Sequence, residues 1–391
     1  MTDYELLLSL LRDEGMDFKW AKMFVKKLSD DESAFPTDDH VKEWALSRGF
    51  YPGRVELYGL NEQNYTDFLP DYQYFMLHPL NHHFKIWVND KLTLKYILDG
   101  EDTRDTMPRY YLYVENNGDY TYLMDAPDYI KRDSDFIFNL LKDKGTLAAK
   151  PNSGTSGGRG FMKLEYRSGE IYCNNAPMSK ADFDAAVSDF KNTIVTEYAY
   201  QHEDLSKIWP DSECTLRVVM AKLPHTDRYS DPEWECIISY ARFGTSRSGG
   251  ASNLSSGGIG IGFDFENGRF KDYGIRYKRF CPDGEWMCFE HPDTHVVWKS
   301  AALPNWNIVR EKIDRVCKRI SSLDYLGLDI IITPTGLKFC EINTHPAADY
   351  EQILCKPILS NPRARSFFEG KGMSQIDSGR FLELYKRSQK G

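Results

Sequence analysis

Three oxygen-bearing side chains toward the C-terminal end of the chain have the spacing of a metal-binding face. They are Asp329, Glu341 and Asn343, within residues 327–343, GLDIIITPTGLKFCEIN. Two runs rich in β-formers flank Pro334, Thr335 and Gly336, which is turn chemistry, so the segment reads as a β-hairpin. With the turn centred on Thr335, Asp329 faces Glu341 across the ladder, and period-2 alternation puts Asn343 on the same face as Glu341. Leu328, Ile330, Ile332, Cys340 and Ile342 then line the opposite, apolar face. Hard oxygen donors in this small number suit Mg²⁺, whose shell is usually completed by phosphates and water. The competing reading is a hairpin edge bearing ordinary solvated acids, because most charged strand residues face water.

Upstream segments carry the groups that would hold an anion against such a cation. Asn89 or Asp90 can cap a short helix carrying Leu92, Leu94 and Ile97. Lys91 then sits in its first turn, where a cation is unfavourable unless something anionic lies opposite. A strand ending at Lys150 runs into a glycine-dense loop, residues 152–160, and out into a second strand over 161–166. Backbone amides at Gly154, Gly157 and Gly158 can approach phosphate oxygens closely, and Ser153, Thr155 and Ser156 add hydroxyl donors. The loop lacks the GxxxxGK[ST] spacing and is followed by a strand, so it is not a Walker A motif. A mobile hairpin tip is the other reading. Arg217 in the strand CTLRVVMA and Arg242 in CIISYARFG lie near this loop and a second glycine- and serine-rich loop, residues 246–262. Arginine suits phosphate and carboxylate, and a structural salt bridge is the alternative for each. His202 and His345 are the candidates for a base, each equally readable as a structural histidine.

The rest of the chain must position these groups. Its 391 residues are enough for two or three domains, and 41% hydrophobic, 14% aromatic and 27% charged residues describe a globular protein. A formal net charge of -9 argues against a general nucleic-acid or membrane-surface binder. No stretch approaches the ~18 consecutive apolar residues of a membrane span. The N-terminal apolar run has acidic flanks and no basic region, so it reads as an amphipathic helix and not a secretory signal. The eight cysteines form no CxxC pair and no zinc-like spacing, which reads as reduced thiols in a cytosolic protein. Leu6, Leu7, Leu10 and Leu11, then Trp20, Met23, Phe24 and Leu28, recur at helix spacing. Pro36, Thr37 and Asp38 announce a helix over 40–47. Residues 50–80 are aromatic and proline-punctuated without βαβ alternation, which argues against a Rossmann-type domain. Strands are expected over 110–114, 120–124 and 193–200, and helices over 134–144, 180–190 and 305–323. Ile308, Val309, Ile313, Val316, Cys317 and Ile320 form the core side of the last helix. The final thirty residues are polar, with a helix over 381–386, and there is no internal repeat.

Taken in order, NDK, LAAKP with its glycine loop, VTEYA, LRVVM, YARFG, NLSSGGIGIGFD and GLDIIIT…KFCEIN form a specific series. Over residues 86–350 it resembles the ATP-grasp superfamily of carboxylate-amine ligases, and looks most like the ribosomal-S6-modification and sugar-transfer-associated branches. The resemblance implies an α+β ATP-grasp fold, two α+β subdomains with ATP between antiparallel sheets, preceded by an atypical, largely helical N-terminal region. It divides the chain into an N-terminal region 1–85, a first subdomain 86–200, a second 201–360 and a polar tail 361–391. It also implies that Lys91 and Lys150 contact the ATP phosphates, with Ser153, Gly154, Ser156, Gly157 and Gly158 folding over them. Glu197, Tyr198 and Ala199 would meet the adenine edge, and Glu203 the ribose hydroxyls. Arg217 and Arg242 match positions that hold phosphate or a developing acyl-phosphate, with Asn253 nearby. Asp329, Glu341 and Asn343 match the magnesium ligands, and two ions are expected. The implied activity is ATP-dependent amide formation between a carboxylate, a sugar acid or an amino acid, and an amine, an amino acid, through an acyl-phosphate. Cell-surface polysaccharide assembly in the cytoplasm is the implied setting, with no nucleic-acid partner and no membrane insertion. A kinase acting on a hydroxyl and a nucleotide-binding pseudoenzyme are the rival readings. Two places depart from the family pattern. The first 80 residues do not read as a small βαβ domain, and Thr344, His345, Pro346 and Ala347 follow the hairpin where a glycine commonly follows proline. Both help shape the acceptor side.

Overall fold

Local signals set the first hundred residues as helices. In the computed structural model, which describes residues 3–153, 160–225, 227–277, 281, 284–349 and 351–390, no strand precedes Tyr110 among the described residues. Helix Asp3–Asp13 buries Leu7, Leu10 and Leu11, and helix Phe18–Ala34 buries Trp20, Phe24 and Leu28. Helix Asp39–Leu46 starts at Asp38, whose carboxylate accepts from the Val41 amide at 2.8 Å, as an N-cap should. The aromatic stretch that follows folds into short helices including Arg54–Tyr58 and Asp71–Met76.

Two antiparallel sheets come next. The first contains β1 (Tyr110–Val114), β2 (Tyr120–Tyr122), β3 (Thr146–Pro151), β4 (Met162–Arg167), β5 (Glu170–Cys173), β6 (Ala176–Met178) and β7 (Thr193–Glu197), in spatial order β2-β1-β7-β3-β4-β5-β6. Helices Phe136–Lys144 and Lys180–Ser188 cover one face, where Leu140, Leu141 and Phe183 meet Leu147, Leu164 and Val195. The second contains β8 (Thr215–Lys222), β9 (Trp234–Phe243), β10 (Ile259–Phe263), β11 (Phe270–Ile275), β12 (Met287–Cys288), β13 (Tyr325–Thr333) and β14 (Gly336–Asn343), ordered β12-β11-β10-β9-β8-β13-β14. One face of this sheet packs on helix Trp306–Arg319 through Val309, Ile313, Val316 and Cys317. The mixed α+β architecture, with two antiparallel sheets behind a helical N-terminal region, is the one the sequence implied. Among the described residues no helix is long and apolar enough to cross a membrane.

Several sequence expectations need correction. Residues 259–263 are a buried strand, where a loop was expected as far as residue 262. The glycines there serve packing: a Cβ at Gly262 would lie 1.7 Å from the Leu354 carbonyl oxygen, so only glycine lets helix Glu351–Leu354 approach. Ile308 is exposed, because the true helix turns it away from the sheet. Residues 361–391, polar in composition, contain helices Pro362–Gly370 and Arg380–Ser388 that bury Phe367, Phe368, Phe381 and Leu384. Phe381 stacks on Tyr72 at 5.6 Å and meets Phe24 at 4.9 Å, so the two ends of the chain share one core with Val219, Ala221 and Ile238 of the second sheet.

Phe381→Ala should therefore destabilise the whole protein by about 3–5 kcal/mol in urea unfolding, the range for emptying a buried aromatic position. A change within ~0.5 kcal/mol would mean that this segment is an appendage and not part of the core.

Candidate active site

The hairpin β13–β14 pairs Asp329 with Glu341 and Gly327 with Asn343, as expected, but for a different reason. Thr333 pairs with Gly336, so the turn holds two residues, and an irregularity between Asp329 and Ile330 shifts the register by one. Cys340 is the extra residue of that bulge. The bulge reverses the alternation on its turn side, so Phe339 and Leu337 are the core residues, and Lys338 faces the site. Cys340, expected on the apolar underside, instead lies beside the charges of Lys150, Asp329 and Glu341, and burial pushes its thiol up to about 12.

Asp329 is 5% exposed and held between two guanidinium groups. Arg217, directly opposite on β8, donates from Nε to Oδ1 at 2.5 Å and from Nη2 to Oδ2 at 3.1 Å; Arg242 Nη2 on β9 lies 3.1 Å from Oδ1. Burial by itself raises this carboxyl, but the two arginines outweigh it and hold it down at about 2. Arg242 Nη1 also donates to Asn253 Oδ1 at 3.2 Å, while its Nε is buried without a partner. Asn343 Nδ2 lies 3.2 Å from Glu341 Oε1 and 3.5 Å from Asp329 Oδ2, so the three candidate ligands touch one another.

The lysines arrive from helix Lys91–Leu98 and from β3 of the first sheet. Asp90 caps helix Lys91–Leu98 through the Thr93 amide, and Asn152 clamps the cap by accepting from Leu92 N at 2.8 Å and donating to Asp90 Oδ2 at 2.5 Å. Lys91, 9% exposed, is thereby held with Nζ 3.8 Å from Glu341 Oε2. Lys150 Nζ on β3 donates to the Cys340 carbonyl at 3.4 Å, and burial, with Lys91 nearby, lowers its pKa. Two lysines and two arginines face two carboxylates here, so a positive excess remains for an anion with several negative charges, as a polyphosphate has.

The remaining candidates lie along the far edge. Glu197, at the end of β7, accepts from Arg109 N at 3.0 Å and lies 3.7 Å from Lys338 Nζ. Lys338 went unnoticed in the sequence because simple alternation hides it on the core face. The Tyr198 hydroxyl donates to Glu213, and Lys163 Nζ lies 4.9 Å over the Tyr198 ring, two further partners that carry no motif. Ala199 is half-buried, and Glu203 is exposed in the short helix Glu203–Ser206. Ser153 Oγ accepts from Asn192 at 3.4 Å. Gly154, Thr155, Ser156, Gly157 and Gly158 lie outside the described residues. Of the two histidines, His202 caps Asp204 through Nδ1 at 3.2 Å, and His345 belongs to a separate cavity behind the hairpin.

Among the described residues no three His, Cys, Asp or Glu side chains group as a metal site. Asp329, Glu341 and Asn343 instead offer two carboxylates and an amide, a hard donor set that suits Mg²⁺ when phosphate oxygens and water complete the shell. Three guanidinium donors and the Asn343 amide engage the four lone-pair directions of Asp329, whereas Glu341 accepts from Asn343 and keeps most of its capacity free.

Asp329→Asn should cost about 3–5 kcal/mol in chemical denaturation, because it strands two buried cations, while Glu341→Gln should change stability by less than ~1 kcal/mol. The sign with pH follows from a folded pKa depressed from 3.8 to about 2. The stabilisation, about 2 kcal/mol, is complete above pH ~4 and disappears as the pH falls toward 2, and Asp329→Asn should flatten that part of the stability curve.

Residues 76–365 match a family model described as sugar-transfer associated ATP-grasp. No curated protein matches the sequence. Solved structures similar to the chain include an ADP complex of purK, N5-carboxyaminoimidazole ribonucleotide synthetase, with 11% identity, a TM-score of 0.37, and coverage of 73% of this chain and 52% of that one. The ATP-grasp ligase PsnB with a minimal precursor has 11% identity and a TM-score of 0.38 over 75% of this chain and 63% of that one. D-alanyl-alanine synthetase A from Vibrio cholerae O1 biovar eltor has 14% identity and a TM-score of 0.38 over 76% and 67%. The chain spans about half the length of the first and under two thirds of the second.

Proposed function

Because the chain belongs to the sugar-transfer-associated ATP-grasp family, we propose that it is an ATP-dependent ligase that joins a carboxylate to an amine. The observation that carries this reading is the convergence of Lys91, Lys150, Arg217 and Arg242 on Asp329, Glu341 and Asn343. In the proposed reaction a substrate carboxylate oxygen attacks the γ-phosphorus of ATP, giving an acyl-phosphate and ADP. An amine nitrogen then attacks the acyl carbon, phosphate leaves, and the nitrogen loses a proton to give the amide.

In this reading Lys91 and Lys150 hold the phosphates, with Ser153, Gly154, Ser156, Gly157 and Gly158 closing over them. Glu197, Tyr198 and Ala199 meet adenine, and Glu203 the ribose. Arg217 and Arg242 bind the transferring phosphoryl group, with Asn253 and Asp329 fixing the direction of their N–H donors. Such preorganised charge and alignment supply most of the rate in phosphoryl transfer. Asp329, Glu341 and Asn343 would hold Mg²⁺, two ions being expected, which neutralises phosphate charge when bound. A sugar acid or amino acid is proposed as the carboxylate and an amino acid as the amine, in cell-surface polysaccharide assembly in the cytoplasm.

The test is incubation with ATP, Mg²⁺ and pools of amino acids and uronic acids, reading ADP and new masses. ADP release with an amide product is expected. Phosphorylation of a hydroxyl without amide would replace this reading with a kinase, and no nucleotide turnover with any pool would overturn it. Glu341→Gln should lower kcat by roughly 100-fold or more with the fold intact, as loss of one transition-state electrostatic contact does. Near-normal turnover in that variant would remove Glu341 from the site.

A further inference from the structure

The first three amides of helix Lys91–Leu98 are already engaged. Thr93 N donates to Asp90 Oδ1 at 2.7 Å, Leu92 N to Asn152 Oδ1 at 2.8 Å, and Lys91 N to the Asn152 carbonyl at 3.3 Å. A free helix N-terminus offers its amides to an anion, but here two residues of the protein have taken them. What this turn holds out to a phosphate is therefore the Lys91 ammonium and not its backbone.

Asn152, 5% exposed, has each of its polar groups in use. Its amide donates to the Asn192 carbonyl at 2.7 Å, which extends the β3–β7 ladder beyond Lys150↔Ile194 and Pro151↔Thr193. Asn192 is held in turn by the Tyr113 hydroxyl of β1, which donates to its Oδ1 at 3.1 Å. The Asn152 carbonyl accepts from Lys91 Nζ at 3.5 Å as well as from Lys91 N, and its Nδ2 donates to Asp90 Oδ2 at 2.5 Å. One residue thus belongs both to the first sheet, two positions beyond Lys150, and to the turn that carries Lys91.

A cap by itself does not call for this arrangement. Asp90 meets the N-cap requirement through Thr93 alone. The further bonds of Asn152 join that cap to β3, and the join sets how far the two lysines stand from each other. The Lys91 ammonium is 9% exposed as a residue and rests between the Asn152 carbonyl and Glu341 Oε2, 3.8 Å away. A lysine side chain held in this way has lost its rotamer freedom before a ligand arrives, so that cost does not fall on binding.

We propose that Asn152 is a positioning residue for the nucleotide phosphates: it locks the helix bearing Lys91 to the strand bearing Lys150, so that both ammonium groups meet one polyphosphate at a fixed separation. The inference rests on the ATP reading of the site for its ligand. Without the lock both lysines remain, but the helix turn can shift against the strand. The loss then falls on the phosphates and spares the nucleoside.

Equilibrium binding of MgATP and of adenosine to the full chain tests this. Asn152→Ala removes the side-chain bonds, and Asn152→Asp sets a carboxylate against Asp90. Each should weaken MgATP by roughly tenfold or more, the worth of one hydrogen bond to a charged group, and change adenosine by less than about twofold. Asp90→Asn combined with Asn152→Asp rebuilds the pair with donor and acceptor exchanged, and should restore MgATP binding. In a Lys91→Ala background Asn152→Ala should add little, because its effect passes through Lys91. Thermal unfolding shows which variants are folded, and the exchanged pair decides the matter where Asn152→Ala is not. Unchanged MgATP affinity in both single variants, an equal loss for adenosine, or an Asn152→Asp defect that Asp90→Asn leaves unrelieved would overturn the proposal. Absence of MgATP binding by the unaltered chain would remove the ligase reading together with it, whereas MgATP binding that these substitutions leave intact removes the role of Asn152 alone.

Discussion

A carboxylate buried between two arginines sets the geometry of this protein's candidate site. Asp329 cannot remain ionised at 5% exposure without strong partners, and Arg217 and Arg242 cannot be desolvated without a countercharge. Each therefore fixes the others, and β9, β8 and β13 are held in the register that makes the triad possible. Because the clamp lies between strands and not on a loop, the sheet itself fixes both guanidinium groups. Asp329 is thus a buried ion pair and not the solvated acid that a hairpin edge would carry, and the salt bridge that was the alternative for each arginine is present.

The bulge at Cys340 determines what surrounds that clamp. One extra residue in β14 keeps Glu341 and Asn343 on the site face while turning Phe339 and Leu337 into the core. It also brings Lys338 toward Glu197 and presents the Cys340 carbonyl to Lys150, so these two polar contacts between the hairpin and the first sheet depend on it. On the opposite side, Asn152 ties the start of the glycine-rich loop to the Asp90 cap, which explains how a lysine can stand in the first turn of a helix: its ammonium faces Glu341.

The N-terminal helices lie against the segment that follows the hairpin, through Tyr74 on Pro346 and Trp20 on His345. They are bound to the second sheet by an aromatic core that includes residues from both ends of the chain, and by a buried network of Arg54, Lys27, Asp31, Asp71 and Asp349. Asn81 is a further seam. Its side chain donates to the Tyr325 and Thr344 carbonyls and accepts from the Asp324 and Tyr325 amides, joining this region to the ends of β13 and β14. The unusual helical region and the unusual segment after Asn343 are thus one structural unit.

Residue types and spacing alone determined the hairpin, its facing Asp329 and Glu341, the helix start signalled by Asp38, a cap at Asn89 or Asp90, the helices that open the chain and the order of the motifs, because each depends on local propensity or a short period. Even the correct pairing of Asp329 with Glu341 came from two offsetting errors, a turn one residue too wide and a missed bulge. Only the tertiary structure could place Lys338 and Cys340 on the site side, close the glycine strand 259–263 against Leu354, bury a polar-looking C-terminal segment, and bring Trp20 and His78 against His345. These depend on contacts between residues up to hundreds of positions apart, whose strength lies in shared burial and charge pairing and leaves no periodic trace in the chain.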